Sequence, residues 1–264
     1  MKRLFTSFAL AMLVMLGASG IANAQQMVSC ANANMANLSQ FTVIGDMNTA
    51  CSIDVALSAS ASIEILGSTI TDTMPITNTA GNILMISQGN ITVSATITGA
   101  PNFNIDIKAN QGGSGNLTIG TGGIMKIVAM PSSIVYVTNG TSASTGTLQL
   151  KSDADISLPA NSGDYIILNA QAGTLKMPGG TLKSTGSPAG QIQLLAATVE
   201  FPSGGTLSTN QTSGNTNHGV AIAAATITYG GTAGLKMTAN GNGALLICSL
   251  KVQRVFQIQE ILRI

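Results

Sequence analysis

Charged residues make up only 8% of this 264-residue chain, against roughly 25% in ordinary globular domains. The formal net charge is +1. Arginine occurs only at Arg3, Arg254 and Arg263. Without a basic stripe there is no field to hold phosphates, so nucleic-acid binding is excluded as a working function. Aromatic residues are 3% and tryptophan is absent, which excludes a wide core filled by rings. A narrow interior of stacked Ile, Leu and Val is the alternative. Scarce charge does not signal disorder here, because hydrophobic residues reach 45% and can bury a core. The lone histidine, His218 in Thr212–Gly219, has no ligand partners nearby and reads as a solvated loop residue. Gly112, Gly113 and Gly115 lack the strand–helix context of a phosphate loop. No cofactor and no metal are expected.

What the chain does have is a repeat. Thr174-Leu-Lys-Met-Pro178, Thr198-Val-Glu-Phe-Pro202 and Thr226-Ile-Thr-Tyr-Gly230 recur 24 and 28 residues apart. Gly180-Thr-Leu-Lys183 and Gly205-Thr-Leu-Ser208 follow the first two, starting six and seven residues after Thr174 and Thr198. From Ser62 onward, runs of three to six alternating residues rich in β-branched side chains alternate with turn clusters such as Gln111-Gly-Gly-Ser-Gly115. No amphipathic helical stretch occurs before residue 250. Short strands with a period near 25 residues indicate an all-β, single-stranded parallel β-helix, a solenoid with an N-terminal cap and about nine or ten coils. A β-sandwich would explain the strands but not the repeated blocks.

The organisation follows. Lys2 and Arg3, the apolar run Leu4–Leu16 and Ala22-Asn23-Ala24 read as a signal peptide of bacterial style over 1–24, with a mature start at Gln25. That apolar run is shorter than the ~20 residues that span a bilayer, and no later run is long enough. Residues 25–60 form the expected cap region, 61–250 the β-helix, and 251–264 a C-terminal strand or short helical cap. The abrupt change of character in that tail also admits a truncated or altered reading frame. Cys30 and Cys51 are the disulfide candidate, closing a loop worth roughly 3 kcal/mol in an oxidising compartment. Cys248, in an apolar strand, reads as an inert buried thiol.

Chemistry-bearing candidates are few. Asp153 and Asp155 fall on one face of a strand, with Asp164 close in sequence. Paired carboxylates can act as acid and base on a glycosidic bond or bind Ca²⁺, although a solvated turn is the plainer reading. Thr69/Thr71, Thr96/Thr98 and Thr226/Thr228 form Thr-x-Thr pairs, too sparse in sequence for one continuous ice-binding array. Asn37, Asn90, Asn116, Asn139 and Asn210 open glycosylation sequons, a weak signal in an Asn- and Thr-rich chain.

The signal segment followed by Gly/Asn/Thr/Ser-rich coils, with Gly115-Asn-Leu-Thr-Ile-Gly120 and Gly146-Thr-Leu-Gln-Leu150 as examples, resembles the β-helical bacterial exoproteins. Filamentous-haemagglutinin-like adhesins and autotransporter passengers are that class. The likeness is one of coil style over roughly residues 60 to 250. It implies a cell-surface adhesin, but no functional residue is carried over from it. No secretion domain follows the signal and no membrane barrel is seen at the C-terminus, so secretion, surface display and a periplasmic location all stay open. The expected function is that of an exported, non-enzymatic protein with an adhesin-like or structural role. Extended neutral polar faces would bind carbohydrate or surface proteins. A polysaccharide lyase or glycosidase is the alternative, and an ice-binding protein the second alternative.

Overall fold

The computed structural model describes residues 27–28, 43–120, 125–129, 132–160, 164–186, 189–211, 218–230, 235–240 and 244–250. The expected signal segment 1–24, Cys30, Asn37 and the tail 251–264 lie outside the described residues. All regular elements among those described are strands, 24 in number, and every named pairing is parallel. The chain is a parallel β-helix.

Three ladders make the walls. The first stacks Ile63–Gly67, Ile83–Ser87, Ile105–Ala109, Ile134–Asn139, Tyr165–Asn169 and the first half of Gln191–Phe201. The second stacks Ala50–Ile53, Thr69–Asp72, Ile91–Val93, Asn116–Ile119, Thr147–Leu150, Thr174–Lys176 and the second half of Gln191–Phe201. The third has eight strands, from Leu57–Ala59 through Ala154–Ala160 to Leu235–Asn240. Each circuit therefore visits the walls in turn and rises by one strand spacing, about 4.8 Å.

Alternation in sequence produces the interior. In Ile63–Gly67 and Ile105–Ala109 the first, third and fifth residues are buried and the others half-exposed. Register then aligns like with like: Ile65, Met85, Ile107, Val137, Leu168 and Leu194 form one column. Ile70, Ile91, Leu117, Leu148, Leu175 and Val199 form another on the second wall. All twelve are at most 1% exposed. Each such side chain contributes about 1.5–3 kcal/mol on burial, so a slim aliphatic core suffices without aromatic filling.

The corners absorb the variation in coil length. Between the first and second walls the connection is Ser68 alone in one circuit and residues 140–146 in another. Partners in adjacent coils lie from 16 residues apart (Met27 and Val43) to 31 (Val135 and Ile166). Polar side chains fasten this corner. Asn110, at φ 56°, donates through Nδ2 to Oδ1 of Asn139. Asn139 Nδ2 in turn donates to the Gly115 carbonyl at 3.1 Å. The backbone also closes up here: a Cβ on Gly146 would fall on the carbonyl oxygen of Gly115, and one on Gly173 on that of Gly146.

Two features differ from the sequence expectation. Winding starts before residue 61, because Ala50–Ile53 and Leu57–Ala59 already occupy rungs of the second and third walls. The strands are also not uniformly short. Gln191–Phe201 runs 11 residues and His218–Tyr229 runs 12, each passing round the first corner without a turn. Ala196 and Ala197, and Ala224 and Ala225 in the next coil, sit at the bend. Their small side chains let the backbone turn there. The Ala197 N–H meanwhile donates to the Gly173 carbonyl at 3.1 Å.

Candidate functional site

The outward face of the second wall carries a surface that the linear sequence conceals. Inward positions on this wall are Ile, Leu and Val, so period-two alternation sends the residues between them to solvent. Register joins these into two columns. In one, Ser52, Thr71, Thr92 and Thr118 stack directly above one another. In the other, Thr147, Thr174, Thr198 and Thr226 do so. Each hydroxyl column is continuous over four circuits, because neighbours 19 to 28 residues apart in sequence become neighbours in space.

Where the first column ends and the second begins one rung further on, a shallow trough of about 340 Å³ is lined by Asn116, Thr118, Thr147, Gln149, Thr174, Lys176 and Glu200. Hydroxyls and amides make most of its wall. Lys176 Nζ and Glu200 Oε2 lie 3.9 Å apart, with their side chains 40% and 33% exposed. A pair so open to water contributes little stability, but it keeps the trough electrically neutral. The upper rim is ordered by asparagine: the Asn116 N–H donates to Asn90 Oδ1 at 2.8 Å.

The sequence candidates fall elsewhere. Asp155 lies on the third wall, in register with Lys126 and Thr181. Asp153 precedes it at the corner, and Ala154 between them points inward. Asp153 stands in the turn before the strand, which begins at Ala154, and neither acid lines the trough. Asp164 belongs to a different corner, where its Oδ2 accepts the Ser132 N–H at 2.9 Å and its carbonyl accepts the Gln191 N–H at 3.0 Å. The three acids are thus not brought together. Among the described residues no group of three His, Cys, Asp or Glu side chains converges as a metal centre would require. His218 opens a strand, paired in register with Ala244. It does not belong to the loop expected for it, because the apolar alternation Val220, Ile222 already extends the ladder to it. Cys51 is disulfide-bonded. Cys248 is in register with Ile222.

Two further sequence signals change meaning. Thr98 belongs to the third wall, so the Thr96/Thr98 pair does not extend the face that Thr69/Thr71 and Thr226/Thr228 share. Asn139 is 1% exposed and hydrogen-bonded on both sides of its amide, which leaves a glycan no room there. Asn90, Asn116 and Asn210 are exposed.

A carboxyl missed by sequence reading lies inside the core. Asp72 is fully buried in the column between Ile53 and Val93. Burial pushes it up to about 8, against a smaller pull from the Met74 backbone N–H. The alternation Thr69-Ile-Thr-Asp72 carries the signal, since Asp72 shares the parity of Ile70. Among the described residues no helix is long and apolar enough to cross a membrane. A comparison with protein-family models, curated proteins and solved structures finds no match.

Proposed function

We propose that this protein is an exported, non-enzymatic binding module whose second wall engages neutral carbohydrate by many weak polar contacts. The observation that supports this is the succession of two hydroxyl columns along the wall, which abut at the trough lined by Asn116, Thr147, Gln149 and Thr174. Such a surface offers donors and acceptors at the regular strand spacing of about 4.8 Å and suits a chain of hydroxyl-bearing units. It lacks the apolar, enclosed lining of sites that hold a small hydrophobic ligand. Multiplicity along the solenoid, more than depth at one point, would supply affinity. An adhesin-like or structural role outside the cytoplasm fits this surface and the signal segment.

The test is binding of the purified protein to an array of neutral and acidic glycans, followed by calorimetry on the best ligand. Neutral polysaccharide should bind, and Thr147→Val with Thr174→Val should weaken binding about tenfold by removing two hydroxyl contacts. Failure of every glycan to bind, or binding unaffected by that double substitution, would refute the proposal.

Ice is a second ligand that the threonine columns favour, because a regular hydroxyl array can order water. Gln149, Lys176 and Glu200 interrupt the array in mid-face, which is why carbohydrate is preferred. Thermal hysteresis in a freezing assay, abolished by Thr92→Tyr, would reverse that preference.

A further inference from the structure

The C-terminal end of the described solenoid is open. In its last circuit the inward positions of the second wall are Ile227 and Tyr229, and those of the third are Met237 and Ala239. The residues in register one circuit earlier, Val199, Phe201, Leu207 and Thr209, are all 0% exposed. Tyr229 is 50% exposed, and Ile227, Met237 and Ala239 are half-buried. Four interior columns therefore lose their cover together. The strands that carry them are the last described rungs of their walls, and an uncovered rung offers its backbone to another strand. Leu250 is in register with Ala224, at the end of the first wall. From that place each earlier circuit passes to the second wall.

The sequence beyond Leu250 carries the pattern of such a circuit. Phe256, Ile258, Leu262 and Ile264 follow at spacings of two, four and two. The inward residues of early circuits, read across the second and third walls, have the same spacings: Cys51, Ile53, Leu57 and Ala59 in one, and Ile91, Val93, Ile97 and Gly99 in another. All eight are buried. The circuit between them, from Ile70 to Asn78, keeps these spacings too. We infer that residues 251–264 lay one more rung on the second and third walls and close the open end. Phe256 then stacks on Ile227, Ile258 on Tyr229, Leu262 on Met237 and Ile264 on Ala239. Leu250 to Phe256 is six positions, inside the range of three (Gly67 to Ile70) to nine (Asn139 to Leu148) that this corner takes elsewhere. Continuing the strand without a corner would instead set Gln253 on Ile227, a polar amide at an interior position. In the inferred register no charge enters the interior. Gln257 and Arg263 fall outside, next to Thr228 and Thr238, and Glu260 takes the corner place of Met74, which is exposed.

Hydrogen exchange of the purified full chain, read by mass spectrometry on peptides covering 226–240 and 252–264, tests this. Amides of 256–258 and 262–264 should exchange at least about tenfold more slowly than the intrinsic rate. Ile258→Asp and Leu262→Asp should each abolish that protection and speed exchange at 227–239. Gln257→Asp and Arg263→Asp, outward on the same rungs, should leave both in place. Protection at Leu168 and Leu194 should be unchanged in all four variants, which separates loss of this rung from loss of the fold. Neither face of the second-wall trough is altered, so the outcome is independent of glycan binding. Exchange of 256–264 at the intrinsic rate in the unsubstituted chain overturns the inference. So does equal damage from inward and outward substitutions. Protection at 227–239 that appears only as the protein is raised from ~1 to ~100 µM overturns it as well, by giving the end to a second copy.

Discussion

At Asp72 a side chain that is ordinarily ionised stands in a column of isoleucine and valine. Its folded-state pKa, about 8, lies above the ordinary 3.8. The folded state therefore binds more protons than the unfolded state between those values, and stability must fall as pH rises through that window. Below pH 3.8 the group is neutral in both states and costs nothing extra, whereas above about 8 the full penalty applies. A shift of this size corresponds to roughly 6 kcal/mol. Hydrogen exchange of Ile70 and Ile91 amides should accelerate between pH 5 and pH 9 beyond the intrinsic rate, and Asp72→Val should remove the excess. Identical protection profiles for the two proteins would show that the carboxyl is not held neutral. Gly146 makes a second prediction at this scale. Its Cβ position coincides with a backbone oxygen, which no rotamer change relieves. Gly146→Ala should cost about 1–3 kcal/mol, read as a lower denaturation midpoint, while Gly113→Ala, with open space around it, should cost much less.

Among the elements, the repeated blocks proved to be true rungs: Thr174, Thr198 and Thr226 are in register, as are Thr181 and Thr206. They were legible because these later circuits differ little in length. The column of Ser52, Thr71, Thr92 and Thr118 was not legible, since the corner before Thr69 holds one residue and the corner before Asn116 holds six. Register is a property of stacked coils, so pairs read along the chain, such as Thr96/Thr98, misplace the face. The long strands were missed for a related reason. Leu195-Ala-Ala197 and Ala223-Ala-Ala225 contain no glycine or proline to announce the bend. The interior columns predict a graded response to truncation. Ile107→Ala, flanked by Met85 and Val137, should lose about 2–5 kcal/mol. Thr118→Ala on the outer face should change stability by less than about 1 kcal/mol. Denaturant melts of both variants would decide whether the core is as tightly filled as the burial of Ile107 indicates.

At the scale of the whole molecule, stability is a sum over neighbouring coils and not the property of one central core. Reducing the disulfide at Cys51 should accordingly expose the first circuits to protease while the segment around Leu168 and Leu194 stays protected. Uniform loss of protection would contradict this nearest-neighbour picture. The near-zero net charge bears on partners in the same way. Glycan affinity should be almost constant between ~50 and ~500 mM salt, as expected where no ionic field draws the ligand. Finally, the first corner tolerates one residue at Ser68 and seven at 140–146 without a change in the ladders beside it. A scaffold with that freedom can host foreign epitopes: a peptide spliced after Thr141 would project from one storey of the tower. Copies placed at successive storeys would form an evenly graduated display, with the spacing set by the architecture and the cargo left to choice.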